Sequence, residues 1–160
     1  MKALIVYDSF YGNTEQVARS VAGVLALSGT VTMARPGEVT TDALDGVNLV
    51  IAGSPTRAFR ATPAIMKWIK GLGPDALNQV RVAAFDTRFS IEDTKSKALT
   101  LMVKLFGYAA EPIARALQKK GGIPAAPPEG FFVADKEGPL KEGERERAET
   151  WAKLLVTQLS

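Results

Sequence analysis

Cysteine and histidine are both missing from the 160 residues of this chain. The first absence excludes disulfides, thiol nucleophiles and thiolate metal sites. The second excludes imidazole acid–base chemistry and the commonest metal ligand. Whatever chemistry the protein performs must use hydroxyls, carboxylates, amines or a borrowed cofactor. A cofactor is the simplest source of chemistry for a chain so poor in reactive side chains. Long apolar runs are missing too: none approaches the ~20 residues needed to cross a bilayer. The N-terminus enters a strand-like run at once, with no signal-peptide pattern. These absences predict a cytoplasmic protein with no membrane span and no metal site.

What is present suits an ordinary core. Hydrophobic residues make up 46% of the chain and charged residues 23%. The length predicts one domain over residues 1–160. The net charge of +3 is unevenly spread. Residues 57–120 hold twelve Lys/Arg against five Asp/Glu, while the flanking segments each carry a balance of −2. A basic middle third is either a solvated face or a docking surface for an acidic partner or anionic substrate. No basic stripe interleaved with aromatics points to nucleic acid.

Five strand-like runs can be read: Lys2 to Tyr7, Thr30 to Ala34, Val47 to Gly53, Arg81 to Phe85 and Phe131 to Ala134. The first, third and fourth are nearly continuous in Val, Ile, Leu and Ala, which suits parallel strands buried on both faces. Helical patterns separate them. The first is Thr14 to Leu27. The second is Thr62 to Ile69, with Pro63 at a first helical position behind Thr62 as N-cap. Asp93 to Lys120 reads as two helical pieces broken near Gly107 and Pro112, and Lys141 to Leu159 as the last helix. Trp68 and Trp151 fall in helical patterns as packing residues. Asp42 to Gly46 has room for a short helical turn, and Gly121 to Gly130 reads as a loop. The alternation predicts a three-layer, doubly wound α/β fold with a five-stranded parallel sheet in the order 2-1-3-4-5. In that order the ligand sits where the strand order reverses.

Three loops should then meet at one sheet edge. The first, Ser9 to Thr14, joins a strand to a helix and carries Ser9, Gly12, Asn13 and Thr14. Such a junction aims hydroxyls and backbone N–H groups at the positive end of a helix dipole, which suits a phosphate. The second runs from Gly53 to Pro63, and the third is Asp86-Thr87-Arg88-Phe89-Ser90. Each carries hydroxyls, and the last two each carry Arg and Phe. This is a phosphate cradle followed by two loops able to flank a flat ring. Other nucleotide folds are disfavoured. No Gly-Lys-Ser/Thr follows the first strand, Gly12 is alone where a dinucleotide site wants three glycines, and Gly53-Ser54-Pro55 stands where a phosphoacceptor domain needs Asp.

These three loops, in this order, resemble those of the flavodoxin-like family of FMN proteins, and the resemblance covers essentially the whole chain. Ser9-Phe10-Tyr11-Gly12-Asn13-Thr14 is similar to the family's phosphate loop, Gly53-Ser54-Pro55-Thr56 to its second flavin loop, and Gly138-Pro139-Leu140 to its turn before the last helix. The resemblance implies FMN as cofactor. Ser9, Tyr11, Gly12, Asn13 and Thr14 would hold its phosphate, with Tyr11 departing from the usual small hydroxyl residue. Ser54, Pro55, Thr56 and Arg57 would line ring and ribityl chain. Phe59 would be the inner stacking residue and Phe89 the outer, with Asp86, Thr87 and Arg88 beside it. At least one of Arg57 and Arg88 would stabilise negative charge on reduced flavin. The implied function is electron transfer between redox partner proteins, which could dock through an acidic face. The alternative is an FMN-dependent NAD(P)H:quinone or flavin-type reductase. The third loop reads as short, with no insertion for a second nucleotide, which favours the carrier over a stand-alone enzyme.

Overall fold

The computed structural model describes residues 1–159, and the side chains of all of these except Thr94; Ser160, the last residue of the expected domain, lies outside them. The strands are β1 (Lys2–Tyr7), β2 (Thr30–Ala34), β3 (Leu49–Pro55), β4 (Arg81–Phe89), β5 (Ile123–Pro124) and β6 (Glu129–Val133). The helices are α1 (Asn13–Leu25), α2 (Pro63–Gly71), α3 (Ile91–Thr94), α4 (Lys97–Phe106), α5 (Ala110–Gln118) and α6 (Glu144–Thr157). A short 3-10 turn at Pro36–Glu38 follows β2.

All named strands pair in parallel, in the order β2-β1-β3-β4-β5, with β6 also on β4. The order is the expected one, but the fifth strand is in two pieces. Ile123 and Pro124 pair with Arg81 and Val82, and Glu129 to Val133 pair with Phe85 to Phe89. Between them stand Ala125 to Pro128. Pro127 and Pro128 have no N–H to give a ladder, so the pairing lapses there and resumes after them. The sequence reading placed Ile123 and Pro124 in a loop because a two-residue strand has no period to detect.

Both faces of the sheet are covered, as the continuous apolar runs require. β1 sends Ala3, Ile5 and Tyr7 into one core and Leu4 and Val6 into the other. The first core packs against α1 through Val17, Ala18, Val21 and Leu25, and against α6 through Ala148, Trp151, Ala152 and Leu155. The second packs against α2 and α5 through Ile65, Ile69, Ile113 and Leu117. Phe85, Phe131 and Trp151 meet edge to face with centroids 6.1 to 6.2 Å apart, at the centre of the first core. Gly53 lies against the same cluster: a Cβ there would overlap the Phe85 ring. Trp151 is thus the packing residue the pattern predicts, and Trp68 is partly buried against the second core.

Register decides which loops meet. Tyr7, Gly53 and Phe85 are aligned across β1, β3 and β4, and Ser54 and Pro55 face Asp86 and Thr87. The chain therefore leaves β1, β3 and β4 at one edge of the sheet. After β4 the chain forms α4 and α5, the two helical pieces expected, with the four-residue α3 before them; Asp86 to Phe89, expected in a loop, are the end of β4. The helical pieces break at Gly107, whose φ is +70°, whereas Pro112 sits inside the first turn of α5, where its missing N–H costs nothing.

Candidate functional site

The three loops enclose a cleft of about 250 Å³ at the carboxyl edge of the sheet. Its floor is the start of α1. Gly12 caps that helix at φ +87° and has no side chain to supply a cap bond of its own. The Ser9 hydroxyl accepts from Gly12 N–H at 3.1 Å and more weakly from Glu15 N–H at 3.4 Å. Among the described residues nothing accepts from the backbone N–H groups of Tyr11, Asn13 and Thr14. Free N–H donors at a helix start are groups that an anion can satisfy.

The loops are tied to one another. Thr14 Oγ1 and Thr87 Oγ1 lie 2.9 Å apart, joining the first loop to β4. Thr56 N–H donates to the Thr87 carbonyl, joining the second loop to the third. The Arg57 guanidinium lies over the Phe10 ring at 4.6 Å, bridging the first two loops. The segment after β6 also reaches the cleft. Asn13 Nδ2 donates to the Glu137 carbonyl, and Gly138, at φ +106°, leaves room for the Asn13 side chain where a Cβ would not.

Ten of the residues expected from sequence line the cleft: Ser9, Tyr11, Asn13, Thr14, Pro55, Thr56, Arg57, Thr87, Arg88 and Phe89. Four, Gly12, Ser54, Phe59 and Asp86, stand apart from it, each for a reason. Gly12 shapes the helix start through its backbone. Ser54 is fully buried and its hydroxyl accepts from Thr62 N–H at 2.9 Å, so it organises the start of α2. Thr62 is the N-cap, but its hydroxyl makes no cap bond and is buried without a partner among the described residues. Asp86 is buried and holds Arg88 by two hydrogen bonds, 2.6 and 2.8 Å, while accepting from Ala110 N–H at the start of α5. Burial pushes the Asp86 carboxyl above the ordinary carboxylate range, and Arg88 and Ala110 pull against that.

Phe59 is the clearest departure. It lines a neighbouring cavity, with its ring 6.3 Å from that of Phe106. The cause is a tight hairpin in the second loop. Arg57 and Arg60 exchange both backbone hydrogen bonds at 2.9 Å, and the two residues between them, Ala58 and Phe59, have φ +45° and +64°. This two-residue turn swings Phe59 away from the cleft. Positive φ at a bulky residue is strained and signals that the surroundings impose it.

Four cleft residues escaped the sequence reading: Phe10, Ala58, Val133 and Lys136. Phe10 and Ala58 lie inside loops already chosen, and adjacency could have marked them. Val133 arrives by pairing with Phe89, and Lys136 follows it, so only the sheet order locates them. The two arginines are also not equivalent. Arg88 stacks on Tyr108 at 3.7 Å and is neutralised by Asp86, with 13% of its side chain exposed. Arg57 is exposed and makes no ion pair among the described residues.

Beside the cleft lies the cavity that holds Phe59, about 290 Å³ and mainly apolar. It shares Thr56, Ala58 and Phe89 with the cleft and is closed by Leu99 and Val103 of α4. No helix among the described residues is long and apolar enough to cross a membrane, and no group of His, Cys, Asp or Glu among them could hold a metal.

Known proteins place this architecture. The chain superimposes on an archaeal flavodoxin with a TM-score of 0.77 at 18% identity over 99% of each chain. It superimposes on oxidised Flavodoxin 1 from Bacillus cereus at 0.76, with 16% identity over the whole of both chains. It also matches part of the rubredoxin:oxygen oxidoreductase of Desulfovibrio gigas, at 0.63 and 23% identity over 99% of this chain and 36% of that one. These likenesses show the fold. No curated protein matches the sequence. A family model described as a flavodoxin domain matches residues 4–121. The chain belongs to the flavodoxin domain family.

Proposed function

We propose that the protein binds FMN in the three-loop cleft and transfers electrons between redox partner proteins. The observation that carries this reading is the start of α1. Its Tyr11, Asn13 and Thr14 N–H groups lack acceptors and line up beside the hydroxyls of Ser9 and Thr14. That donor set fits a phosphate, and the aromatic residues Tyr11 and Phe89 lining the same cleft fit a flat ring. When bound, FMN supplies one- or two-electron chemistry that no side chain here can. The protein's part is to hold and to bias. Ser9 and Thr14 would hold the phosphate, and Thr56 and Thr87, which line the same cleft, would face the ribityl chain. The exposed Arg57 would favour negative charge on the ring, and the buried Asp86 would keep Arg88 from doing the same. The basic middle third supports docking of a partner with an acidic face.

A second reading has its own support. The apolar cavity next to the cleft would admit a flat apolar acceptor such as a quinone, as an FMN-dependent reductase requires. Two measurements separate the readings. FMN fluorescence should change and its visible bands shift on titrating FMN with the apoprotein, and an unchanged spectrum would end both. Stopped-flow mixing of the FMN-loaded protein with NADPH should leave the flavin oxidised over the dead time and seconds after; rapid bleaching would select the reductase instead.

A further inference from the structure

We propose that α4 docks the protein onto an anionic phospholipid surface, with its apolar ridge in the interface and three lysines at the headgroups. This inference is independent of the cofactor assigned to the cleft. The segment Lys95 to Tyr108 has no carboxylate. Helix α4 has no buried residue at all, although half of it is large and apolar. Its inner side, Leu99 and Val103, closes the apolar cavity. Its outer side is a ridge of Leu101, Met102, Leu105 and Phe106, of which Leu105 is 66% exposed and Leu101 and Phe106 more than half. At 100° per residue these four fall within one arc of about 140°. A monomer gains nothing from such a ridge in water, and contiguous exposed apolar surface marks an interaction site.

The charge pattern selects the partner. Lys97 and Lys104 border the ridge on one side of the helix, and with Lys95 they line a single shallow groove beside Leu101. None of the three makes an ion pair among the described residues. Of the carboxylates flanking this segment in sequence, Asp93 is held by Lys141, Glu92 is exposed on α3, and Glu111 lies in the first turn of α5. Three unpaired ammonium groups around one groove complement a layer of phosphates. Lysine is depleted at protein–protein interfaces, whereas an apolar face edged by lysines is the pattern of helices that lie in the plane of an anionic bilayer. The ridge presents no amide or hydroxyl that would need a specific partner, and lipid tails require none.

The test is co-sedimentation of the full-length, FMN-loaded protein with vesicles of phosphatidylcholine alone and of phosphatidylcholine with phosphatidylglycerol. Binding to the mixed vesicles and not to the neutral ones is expected, weakening at high salt. Leu101→Asp with Leu105→Asp should reduce binding by roughly tenfold or more, since both positions are exposed and the fold does not depend on them. Lys97→Gln and Lys104→Gln should each weaken it by roughly fivefold. Circular dichroism of each variant confirms that the fold is retained. Three results would overturn the proposal: no binding to either vesicle, binding that the double aspartate variant keeps, or a dimer in sedimentation velocity that this variant dissociates without any vesicle binding.

Discussion

At the scale of single residues, the two arginines of the cleft differ in the role that the sequence assigned to either. Arg88 is bound to Asp86 and stacked on Tyr108, so its charge is spent inside the protein. Arg57 is exposed at the cleft and rests on Phe10. Arg57→Ala should therefore lower the two-electron reduction potential of bound flavin by an amount on the order of 30 mV, a tenfold change in that equilibrium. Potentiometric titration checks this, and an unchanged potential would clear Arg57 of the role. The Asp86–Arg88 pair makes a separate prediction. Removing one partner of a buried ion pair strands the other charge. Asp86→Asn should cost about 3 kcal/mol in urea unfolding, and a loss near zero would mean that the pair contributes nothing net. Asp86 and Arg88 were both read from sequence as cofactor residues. Their mutual distance was not legible, because residues two apart on a strand share a face but need not touch.

At the scale of elements, the start of α1 decides whether the cleft can hold an anion. Gly12 is required by its backbone and not by crowding, since a Cβ there would meet nothing within 4 Å. Gly12→Ala should cost about 1 kcal/mol, the price of a left-handed residue, and should weaken FMN binding in a fluorescence titration. Gly23 is the control. It lies in the same helix with equal room and an ordinary φ, and Gly23→Ala should gain about 1 kcal/mol while leaving FMN affinity unchanged. This helix and its loop were legible because turn, cap and periodic face are all local. The same period located α4 but not its exposure. A helical pattern shows which residues share a face, but not whether any other element covers that face. Read as part of the crossover to the next strand, α4 would have been buried on one side; in the fold it sits after β4 as an added wall with an open ridge. Phe59 failed for a related reason: the two-residue turn at Ala58 and Phe59 carries none of the Asn or Gly that mark such turns, so nothing in the sequence foretold where its ring would point.

At the scale of the whole molecule, the uneven charge becomes a field. Arg57 and Lys136 line the cleft, and Lys95, Lys97 and Lys104 lie on and beside α4, which closes the adjoining cavity. A reduced flavin at that edge should pass electrons to an anionic acceptor faster than to a cationic one of similar potential. Reoxidation by ferricyanide should slow as ionic strength rises, because the attraction is screened over a length of about 8 Å at physiological salt. A rate indifferent to salt would show that the basic third is a solvated face with no steering role.

The sequence by itself determined the class of fold, the strand order and the loops that form the cleft. Buried parallel strands must be continuously apolar, and a turn into a helix start is a local construction, so both leave marks over a few consecutive residues. The tertiary structure alone decided which of two arginines keeps its charge uncompensated at the cleft, where Phe59 points, that Val133 and Lys136 join the site, and that α4 keeps its apolar side uncovered. Distant segments bring β6 beside β4 and Tyr108 over Arg88, while local geometry that no letter announces pairs Asp86 with Arg88 and turns Phe59 aside. Burial and charge compensation are properties of pairs in space, and a single chain of letters records only one member of each pair at a time.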